Sequence, residues 1–403
     1  MRKVDVLKSG KLSSPIGPSG TLRRLLAHRV NLLNAGYSLS IFNSDGLVDS
    51  LEGNLSVNAT ESGSKFVILK KYIKDTIKTW IPKNWLFTQL YICFLLLKAR
   101  QLVKAYVRLD RSADILVFHD FFVCLFHHRL IEGDSKTILF SHSDGIPFNM
   151  LYVTYPKLKN TILANWLESN HKRVIQRVNR MVFIAEIGKK NFLDYYKEFP
   201  SEKAIFFHNG IDDRGFPRRK AKKDLKFKLI SVGTLSERKG QRLIIHALSK
   251  LNRSVLENIH LTLIGDGPDR SYIERLVKDN NLGRNVELKG SVKNDFINDY
   301  LSDSDIYILM SRNEGLPISI IEAMRASLPI ISTNVSGIPE LVTTDYNGIL
   351  LEPDESQLCL VLSNLDEYNW KAFGSNSRYK FVKQFRFDTM LEKYKRMLED
   401  VDL

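Results

Sequence analysis

Short apolar runs alternate with amphipathic stretches along this 403-residue chain. In the first half, the runs DILVF (114–118) and TILFS (137–141) are rich in branched residues and bounded by polar ones, as buried parallel strands are. Residues 21–35 have the spacing of an amphipathic helix. Further strands are predicted at 2–8, 37–43, 181–185 and 204–207. The alternation predicts parallel α/β units.

A polar stretch, 209–228, is rich in Asp, Arg, Lys, Gly and Pro and is predicted to be a linker. The alternation resumes after it. Strands are predicted at 228–232, 260–264, 286–289, 305–309 and 329–332, and helices at 241–251, 269–280 and 318–327. We therefore predict two doubly wound Rossmann-like domains, residues 1–208 and 209–384. Ligands of such sheets bind beyond the carboxyl ends of the strands, so two domains facing one another would hold them in a cleft.

The composition is that of a globular protein, with 44% apolar and 26% charged residues. Three cysteines, Cys93, Cys124 and Cys359, are odd in number and widely spaced, which fits a reducing compartment and not a disulfide framework. The first residues contain no long apolar core, so we expect no secretion signal. These features predict a cytoplasmic protein.

The net charge of +14 points to an anionic partner. Between Lys65 and Arg108, ten Lys and Arg residues accompany one acidic residue, Asp75, and the run 84–97 (NWLFTQLYICFLLL) carries no charge. This run is shorter than the roughly 20 residues that a bilayer requires. It is either a buried core helix with solvated flanks or an interfacial anchor on an anionic membrane surface, within 65–108. Aromatic and basic residues are not interleaved as in a single-strand groove, so we expect no nucleic-acid partner.

The stretch 311–340, SRNEGLPISIIEAMRASLPIISTNVSGIPE, is the most informative. Glu314 precedes the start of a predicted helix and Glu322 lies inside it, so both carboxylates can accept hydrogen bonds from hydroxyl groups. Backbone N–H groups of Gly315, Leu316 and Ile318 would point out of the helix start, where the dipole favours an anion. A phosphate seat between two carboxylates suits a sugar nucleotide. Taken alone, these residues also fit an ordinary helix with two solvated glutamates.

This stretch resembles the signature of the retaining family 4 glycosyltransferases, which have the GT-B fold. The signature reads E-G-x-P, then E-A-M, then G-x-P-E after a strand, and this chain has EGLP (314–317), EAM (322–324) and GIPE (337–340). The resemblance implies two Rossmann-like domains and a closing helix, here 385–403, that packs back on the N-terminal domain. It also implies that Glu322 binds the ribose hydroxyls and that Glu314 contacts the donor sugar.

A glycine loop, GTLSERKG, runs from Gly233 to Gly240 after the first strand of the second half. Glycine lets the backbone approach a phosphate and lysine supplies positive charge, although loops of this composition also occur without ligands. In the family, an arginine and a lysine of this loop hold the donor diphosphate. Lys239 matches the lysine, but Thr234 stands where the arginine is expected. One cation is therefore missing unless Arg238 reaches the same phosphate.

Two features of the first half are candidates for binding. Gly20 closes the loop GPSG (17–20), which is either a backbone cradle for the donor diphosphate or acceptor, or a flexible turn. His119 and His142 each follow a predicted strand, where a lone histidine is more often structural than catalytic. The resemblance implies that His142 contacts the transferred sugar.

Together these features predict a retaining glycosyltransferase that moves a sugar from a nucleotide diphosphate sugar, with a UDP sugar favoured, to a hydroxyl of a saccharide or lipid-linked acceptor. The catalytic residues would be His142, Glu314 and Lys239. The resemblance implies catalysis without a metal ion or another cofactor. The apolar-basic segment favours capsule or surface-polysaccharide assembly, with the protein peripheral on the inner face of the plasma membrane. Two alternatives stay open: a GT-B sugar-nucleotide epimerase and a non-catalytic nucleotide-sugar-binding protein.

Overall fold

The computed structural model describes residues 1–12, 18–48, 81, 84–214 and 227–402. Two compact units are present. The first comprises Met1–Phe207 together with Met390–Leu403, and the second comprises His208–Thr389. Each unit contains one sheet whose strands alternate with helices along the chain. The prediction of two Rossmann-like α/β domains is confirmed.

The first domain contains a seven-stranded sheet with the order β3-β2-β1-β4-β5-β6-β7. Its strands are parallel except for the β2–β3 pair. They are β1 (Arg2–Leu7), β2 (Tyr37–Asn43), β3 (Gly46–Val48), β4 (Ile115–Phe118), β5 (Lys136–Ser141), β6 (Arg180–Phe183) and β7 (Ala204–Phe206). All four residues of β4 are buried, because helices cover both faces of a parallel sheet, and this explains the uninterrupted apolar run ILVF (115–118).

The described helices of this domain are α1 (Ser19–Ala27), α2 (Arg29–Asn34), α3 (Trp85–Val107), α4 (Phe121–Leu130), α5 (Asn149–Thr154), α6 (Ile162–Arg177) and α7 (Glu186–Tyr195). Short 3₁₀ turns occur at Pro156–Leu158 and Ser201–Lys203. Asp120 caps α4, since its carboxylate accepts hydrogen bonds from the N–H groups of Phe122 and Val123. This cap fixes where the chain leaves β4.

Helix α3 is longer than the uncharged run 84–97 and extends to Val107. Tyr106 fixes its far end to the sheet, because the tyrosine hydroxyl donates to the buried Asp5 carboxylate at 2.7 Å. Within the described residues, α3 is the one helix long and apolar enough to cross a membrane, a test that core helices of soluble proteins also pass. Residues 65–80, 82 and 83 of the predicted 65–108 segment lie outside the described residues.

The second domain contains a six-stranded parallel sheet with the order β10-β9-β8-β11-β12-β13. Its strands are β8 (Phe227–Val232), β9 (Ile259–Ile264), β10 (Val286–Gly290), β11 (Ile306–Leu309), β12 (Ile330–Thr333) and β13 (Gly348–Leu351). Its helices are α8 (Gln241–Ser249), α9 (Arg253–Leu256), α10 (Arg270–Asp279), α11 (Asn294–Ser302), α12 (Ile318–Arg325), α13 (Ile338–Leu341), α14 (Glu355–Ser363) and α15 (Trp370–Gln384). Helix α16 (Phe387–Glu399) begins in this domain and ends in the first.

The structure differs from the sequence prediction at several elements. Residues 21–35 form two helices that break at His28, and the first begins at Ser19, so Gly20 lies in a helical turn and not in a loop. Buried Leu22, Leu25 and Leu32 keep a helical spacing across the break, which is why the pattern does not reveal it. Strands β3 and β13 were not predicted, because they are short and begin with glycine.

The linker prediction is wrong for its first residues. Ile211 is fully buried and exchanges backbone hydrogen bonds with Phe385 and Phe387, so the chain is paired here and not free. Arg325 also donates to the backbone oxygen of Asp212 at 3.0 Å. A single apolar residue among charged ones gave too weak a signal to show this packing. Residues 215–226 lie outside the described part of the chain.

We expect Gly240→Ala to destabilise the second domain by roughly 3 kcal/mol or more, because Gly240 has φ +70° and an added Cβ would lie 1.8 Å from the backbone oxygen of Met310. Backbone would have to move on both sides of the contact. The matched control is Gly283→Ala, where an added Cβ meets nothing within 4 Å and the change should stay within about 0.5 kcal/mol. Urea unfolding followed by circular dichroism measures both, and equal stabilities would contradict the described packing.

Candidate functional site

The central strands of the second sheet, β8 and β11, are neighbours although four helices and two strands separate them in sequence. The strand order reverses between them, and at such a point the loops beyond the carboxyl ends leave a crevice for ligands. The loop after β8 contains Gly233 and Thr234 and leads through a 3₁₀ turn, Glu237–Lys239, into α8. The loop after β11 contains Glu314 and leads into α12.

The turn GDGP (265–268) supports the first of these loops. An added Cβ at Gly265 would lie 1.9 Å from the backbone oxygen of Gly233, and one at Gly267 would lie 2.3 Å from that of Leu235. The Leu235 N–H donates to the backbone oxygen of Asp266 at 3.1 Å. These contacts agree with a structural role for the GDGP glycines, which let two backbone segments touch.

Glu314 is the centre of a buried ionic cluster. Its side chain is 7% exposed, and Oε1 lies 2.7 Å from Lys239 Nζ and 3.1 Å from Arg238 Nη1. The hydroxyl of Ser311 donates to the same oxygen at 2.7 Å. A carboxylate can be buried at such a position when cations and hydroxyls take the place of water.

The charges around Glu314 favour the ionised form of its carboxyl group. Burial alone would raise the pKa of the Glu314 carboxyl, but the charges of Lys239 and Arg238, with hydrogen bonds from Lys239 and Ser311, outweigh it, and the pKa is lowered. At neutral pH the cluster therefore holds one negative and two positive side chains. One positive charge is in excess, which suits an anionic ligand.

Arg238 is held in place from both ends. Its Nη1 donates to the backbone oxygen of Asn313 at 2.7 Å, and its own backbone oxygen accepts from the Arg312 N–H at 2.8 Å. Thr234, by contrast, lies on the loop after β8, and its backbone oxygen accepts from the buried Gln241 amide at 3.2 Å. The structure therefore brings Arg238 beside Lys239, on the same oxygen of Glu314.

The start of α12 follows directly on this cluster. Pro317 is the N-cap with extended backbone (φ −70°, ψ 111°), so the helix begins at Ile318 and not at the proline. Gly315 and Leu316 are buried, and only their backbone can face a ligand. Glu322 is half-buried, in the second turn of the same helix. Thus the predicted donor residues of the second domain line two adjoining loops and one helix.

The first domain has its own polar cluster beyond the carboxyl ends of its central strands β1, β4 and β5. His142 follows β5, and its Nε2 lies 2.9 Å from Nδ1 of His119, which follows β4. Lys8 follows β1, is 7% exposed, and donates from Nζ to the backbone oxygen of Ser9 at 2.8 Å. Ser9 in turn is hydrogen-bonded to the Asp120 carboxylate. Sequence reasoning missed Lys8 and Ser9, since one lysine after a strand gives no distinctive signal.

Both histidines of this cluster are neutral at pH 7. Burial, with a smaller effect of the Lys8 charge, lowers the pKa of His142 to about 4. Burial, then the His142 ring, then Lys8 lower the pKa of His119. Gly20 lies in the first turn of α1, where an added Cβ would come 3.5 Å from the Arg24 guanidinium. Asp144, two residues after His142, accepts a hydrogen bond at Oδ2 from the Asn149 amide at 2.6 Å.

The second domain is similar in sequence to a known protein family. Residues 213–360 match the family of glycosyl transferases group 1. The chain is 26% identical over 213 residues to a putative colanic acid biosynthesis glycosyltransferase, WcaL, from Salmonella typhimurium, an alignment covering 50% of this chain and 52% of that protein. The chain thus spans about half the length of the curated relatives it matches. The predicted resemblance to group 1 glycosyltransferases is confirmed.

Solved structures extend the likeness to the whole chain. A sucrose-phosphate synthase from Thermosynechococcus elongatus superposes with a TM-score of 0.71 at 16% identity, over 99% of this chain and 100% of the other. Anabaena HepE, solved in complex with UDP, superposes with a TM-score of 0.66 at 16% identity and the same coverage. At such identity the likeness establishes the fold, which is GT-B.

We expect Glu314→Gln to destabilise the protein by about 3 kcal/mol at pH 7, because two partly buried cations lose their partner. The pKa of Glu314 is depressed in the folded state, so its contribution is complete above the ordinary value of 4.5 and is lost as the pH falls through the folded pKa. The difference between wild type and variant should therefore be constant from pH 5.5 to 7, which lies about one unit or more above that value, and should shrink below it.

Urea unfolding of both proteins between pH 3 and 7 measures this difference. The control is Glu257→Gln, which removes an exposed i,i+4 pair with Arg253 and should change stability by less than about 0.5 kcal/mol. A pH-independent difference for Glu314→Gln would mean that the carboxyl is not ionised in the cluster.

Proposed function

We propose that this protein is a retaining glycosyltransferase that transfers a sugar from a nucleotide diphosphate sugar to an acceptor hydroxyl, without a metal ion or other cofactor. The observation that carries the proposal is the buried Glu314, held by Lys239 and Arg238 beyond the carboxyl edge of the second sheet. A diphosphate requires positive charge and a sugar requires hydrogen-bond acceptors, and this cluster offers both. The group 1 match over the same residues supports it.

Lys239 and Arg238 neutralise the donor diphosphate, assisted by backbone N–H groups of Gly315, Leu316 and Ile318 at the start of α12. Because Arg238 lies beside Lys239 on the same carboxylate, it takes the place of the arginine expected at Thr234. Two fixed side-chain cations supply the charge that a divalent metal supplies in other transferases. Because Gly233 has no side chain, the backbone at this position can approach the diphosphate. The aliphatic part of the Lys239 side chain passes close to Gly233.

Glu322 binds the ribose hydroxyls, and Glu314 contacts the donor sugar. The described contacts of Glu314 engage Oε1, which leaves Oε2 to accept from a sugar hydroxyl. In the first domain, Gly20 approaches the diphosphate or the acceptor and His142 contacts the transferred sugar. The resemblance supports these roles, and the neutral state of His142 fits a group that donates a hydrogen bond.

Retention follows from attack on the face that the diphosphate leaves. The bond from the sugar to the leaving phosphate oxygen breaks, the acceptor oxygen forms the new bond, and the leaving phosphate takes the acceptor proton. No dedicated protein base is required. Stabilising charge on the departing diphosphate, by Lys239 and Arg238, supplies much of the rate acceleration. A UDP sugar is the favoured donor, and the shared fold with a protein solved in complex with UDP supports that choice.

A thermal-shift screen across UDP, GDP and ADP sugars tests the donor. A ligand that binds the folded state raises the melting temperature with increasing concentration. Nucleotide release from the stabilising donor then separates the functions. A transferase releases nucleotide faster when an acceptor is added. A binding protein releases none, and an epimerase returns an altered sugar. No stabilisation by any of the three donor classes would overturn the proposal.

The acceptor is lipid-linked or part of a growing surface polysaccharide such as a capsule, and the protein works at the inner face of the plasma membrane. Helix α3 supports this location. One side of the helix, including Ile92, Ala99 and Val103, is buried in the domain. The opposite side exposes a stripe of large apolar residues at helical spacing: Leu86, Leu90, Phe94 and Leu97, each 48–57% exposed.

The same helix carries the charge that an anionic surface attracts. Lys98, Arg100 and Lys104 are exposed in its second half, and α3 contains no acidic residue. Lys157 and Lys159 are exposed beside the 3₁₀ turn that packs against α3. An apolar stripe followed by basic residues is the arrangement of an interfacial helix, with leucines among acyl chains and cations among headgroups.

We expect Glu322→Ala to weaken nucleotide binding ten- to hundredfold, because losing hydroxyl hydrogen bonds to a carboxylate costs about 1.5–3 kcal/mol. Calorimetric titration with UDP measures the dissociation constant. Glu392→Ala, on α16, removes an exposed glutamate elsewhere and should leave the constant unchanged. Equal affinities for the Glu322 variant and wild type would remove Glu322 from the nucleotide site.

We expect the double variant Leu90→Ser, Leu97→Ser to reduce binding to phosphatidylglycerol vesicles at least tenfold, since each leucine buried in a membrane contributes about 1.5–3 kcal/mol. Cosedimentation at low salt measures the bound fraction, with phosphatidylcholine vesicles for comparison. The control is Val30→Ser with Leu360→Ser, two residues that are 58% and 67% exposed but lie off α3. If wild type does not bind the anionic vesicles, or the control loses as much binding, α3 is not the anchor.

A further inference from the structure

The histidine pair of the first domain has a geometry that the transfer reaction alone does not explain. Nδ1 of His119 lies 2.9 Å from Nε2 of His142, and the two rings are stacked with centroids 5.1 Å apart. His119 is 6% exposed and stacks on Phe140, with centroids 4.4 Å apart and an interplanar angle of 14°. The orientation of the His119 ring is therefore set by packing. At 2.9 Å, one hydrogen must lie between the two nitrogens.

The second ring nitrogen of His119 decides which residue donates. Nε2 of His119 is buried and has no hydrogen-bond partner in the described part of the chain. If His142 donated, the neutral His119 ring would accept at Nδ1 and would carry its own hydrogen at Nε2, where a buried N–H would be unpaired. If His119 donates from Nδ1, Nε2 carries only a lone pair. A buried unpaired N–H group is the rarer and less favourable of the two arrangements.

Burial, with a smaller effect of nearby charge, keeps both rings neutral. Lys8, after β1, is the charged group whose field acts on both histidines. The Asp120 carboxylate, which follows His119, is engaged by the N–H groups of Phe122 and Val123 and by Ser9. The ring faces of the pair contact Phe140, which is apolar. A proton added to either ring would place a charge in a buried environment and close to the Lys8 cation, so each ring holds one hydrogen.

We propose that His119 is a positioning residue that fixes His142 in the tautomer with its hydrogen on Nδ1. His142 then accepts from His119 at Nε2 and presents an N–H donor at Nδ1. It can hydrogen-bond an oxygen of the transferred sugar but cannot remove a proton from a hydroxyl through that nitrogen. This inference rests on the proposed function for the identity of the ligand, whereas the tautomer is a property of the protein alone.

Nitrogen-15 NMR of histidine-labelled protein tests the tautomer directly. Wild type at pH 7 should show a pyridine-type signal for Nε2 of His142 and a pyrrole-type signal for Nδ1. His119→Phe keeps the ring stacked on Phe140 but removes the donor, so His142 should become a mixture of tautomers. His119→Asn places an amide N–H near the position of Nδ1 and should restore the wild-type pattern in part. A hydrogen on Nε2 of His142 in wild type would overturn the inference.

Kinetics test the consequence. His119→Phe should lower kcat for donor turnover about tenfold while the dissociation constant for UDP stays within about twofold, since the histidine acts on the sugar and not on the nucleotide. His119→Asn should recover part of that loss. The matched control is His127→Phe, which replaces another buried histidine with an unpartnered nitrogen, packed against the Phe118 ring, and should leave kcat unchanged.

The outcomes distinguish failure of the positioning role of His119 from failure of the proposed transferase function. An altered tautomer in His119→Phe with unchanged kcat would overturn the positioning role. A loss of kcat that His127→Phe reproduces would show a general packing effect and would overturn it as well. The predicted tautomer in a protein that turns over no sugar donor would overturn the transferase proposal and leave the tautomer assignment standing.

Discussion

A carboxylate buried at the edge of a parallel sheet must be compensated by nearby charge, and in this protein Glu314 imposes that requirement on the second domain. Lys239 and Arg238 come from the loop after β8, and Glu314 comes from the loop after β11. Three charged side chains from two loops therefore hold one another. Neither loop can shift without exposing a charge to an unfavourable environment, so the geometry is fixed before any ligand arrives.

The glycines around this cluster allow the backbone segments that carry it to come into contact. Gly240 lets α8 begin against the backbone of Met310, and Gly265 lets the GDGP turn touch Gly233. At each of these positions, a side chain would separate segments that the ionic cluster requires to be close. For the proposed transferase, which must stabilise a charged leaving group, such preorganisation is valuable because no reorganisation energy is spent during the reaction.

Sequence reasoning predicted the features that depend on local pattern and missed those that depend on distant contacts. The parallel α/β units of both domains were predicted because buried strands give continuous apolar runs. Glu314, Lys239 and Glu322 were found through spacing and resemblance, and their roles in binding stay predictions.

Other features depended on tertiary contacts that the pattern does not encode. That Arg238 shares a carboxylate with Lys239 follows from the juxtaposition of β8 and β11, which are far apart in sequence. The contact between His119 and His142 depends in the same way on the register of β4 and β5. Strand β13 begins with Gly348, which packs against Ile330 so closely that an added Cβ would lie 2.0 Å from the Ile330 backbone oxygen. The strand was missed because, without knowledge of this contact, a glycine predicts a turn.

The two sides of helix α3 differ in what they contribute to the fold. Its core side fixes the helix to the sheet, and the stripe from Leu86 to Leu97 contributes little to that packing. Residues of the stripe can therefore be substituted one at a time with little effect on the stability of the fold. Under the proposed membrane location, point mutations along the stripe could retune attachment to bilayers of different composition, whereas substitutions on the core side would destabilise the fold. Sequence drift among descendants should accordingly be fastest along a line of residues spaced three or four apart.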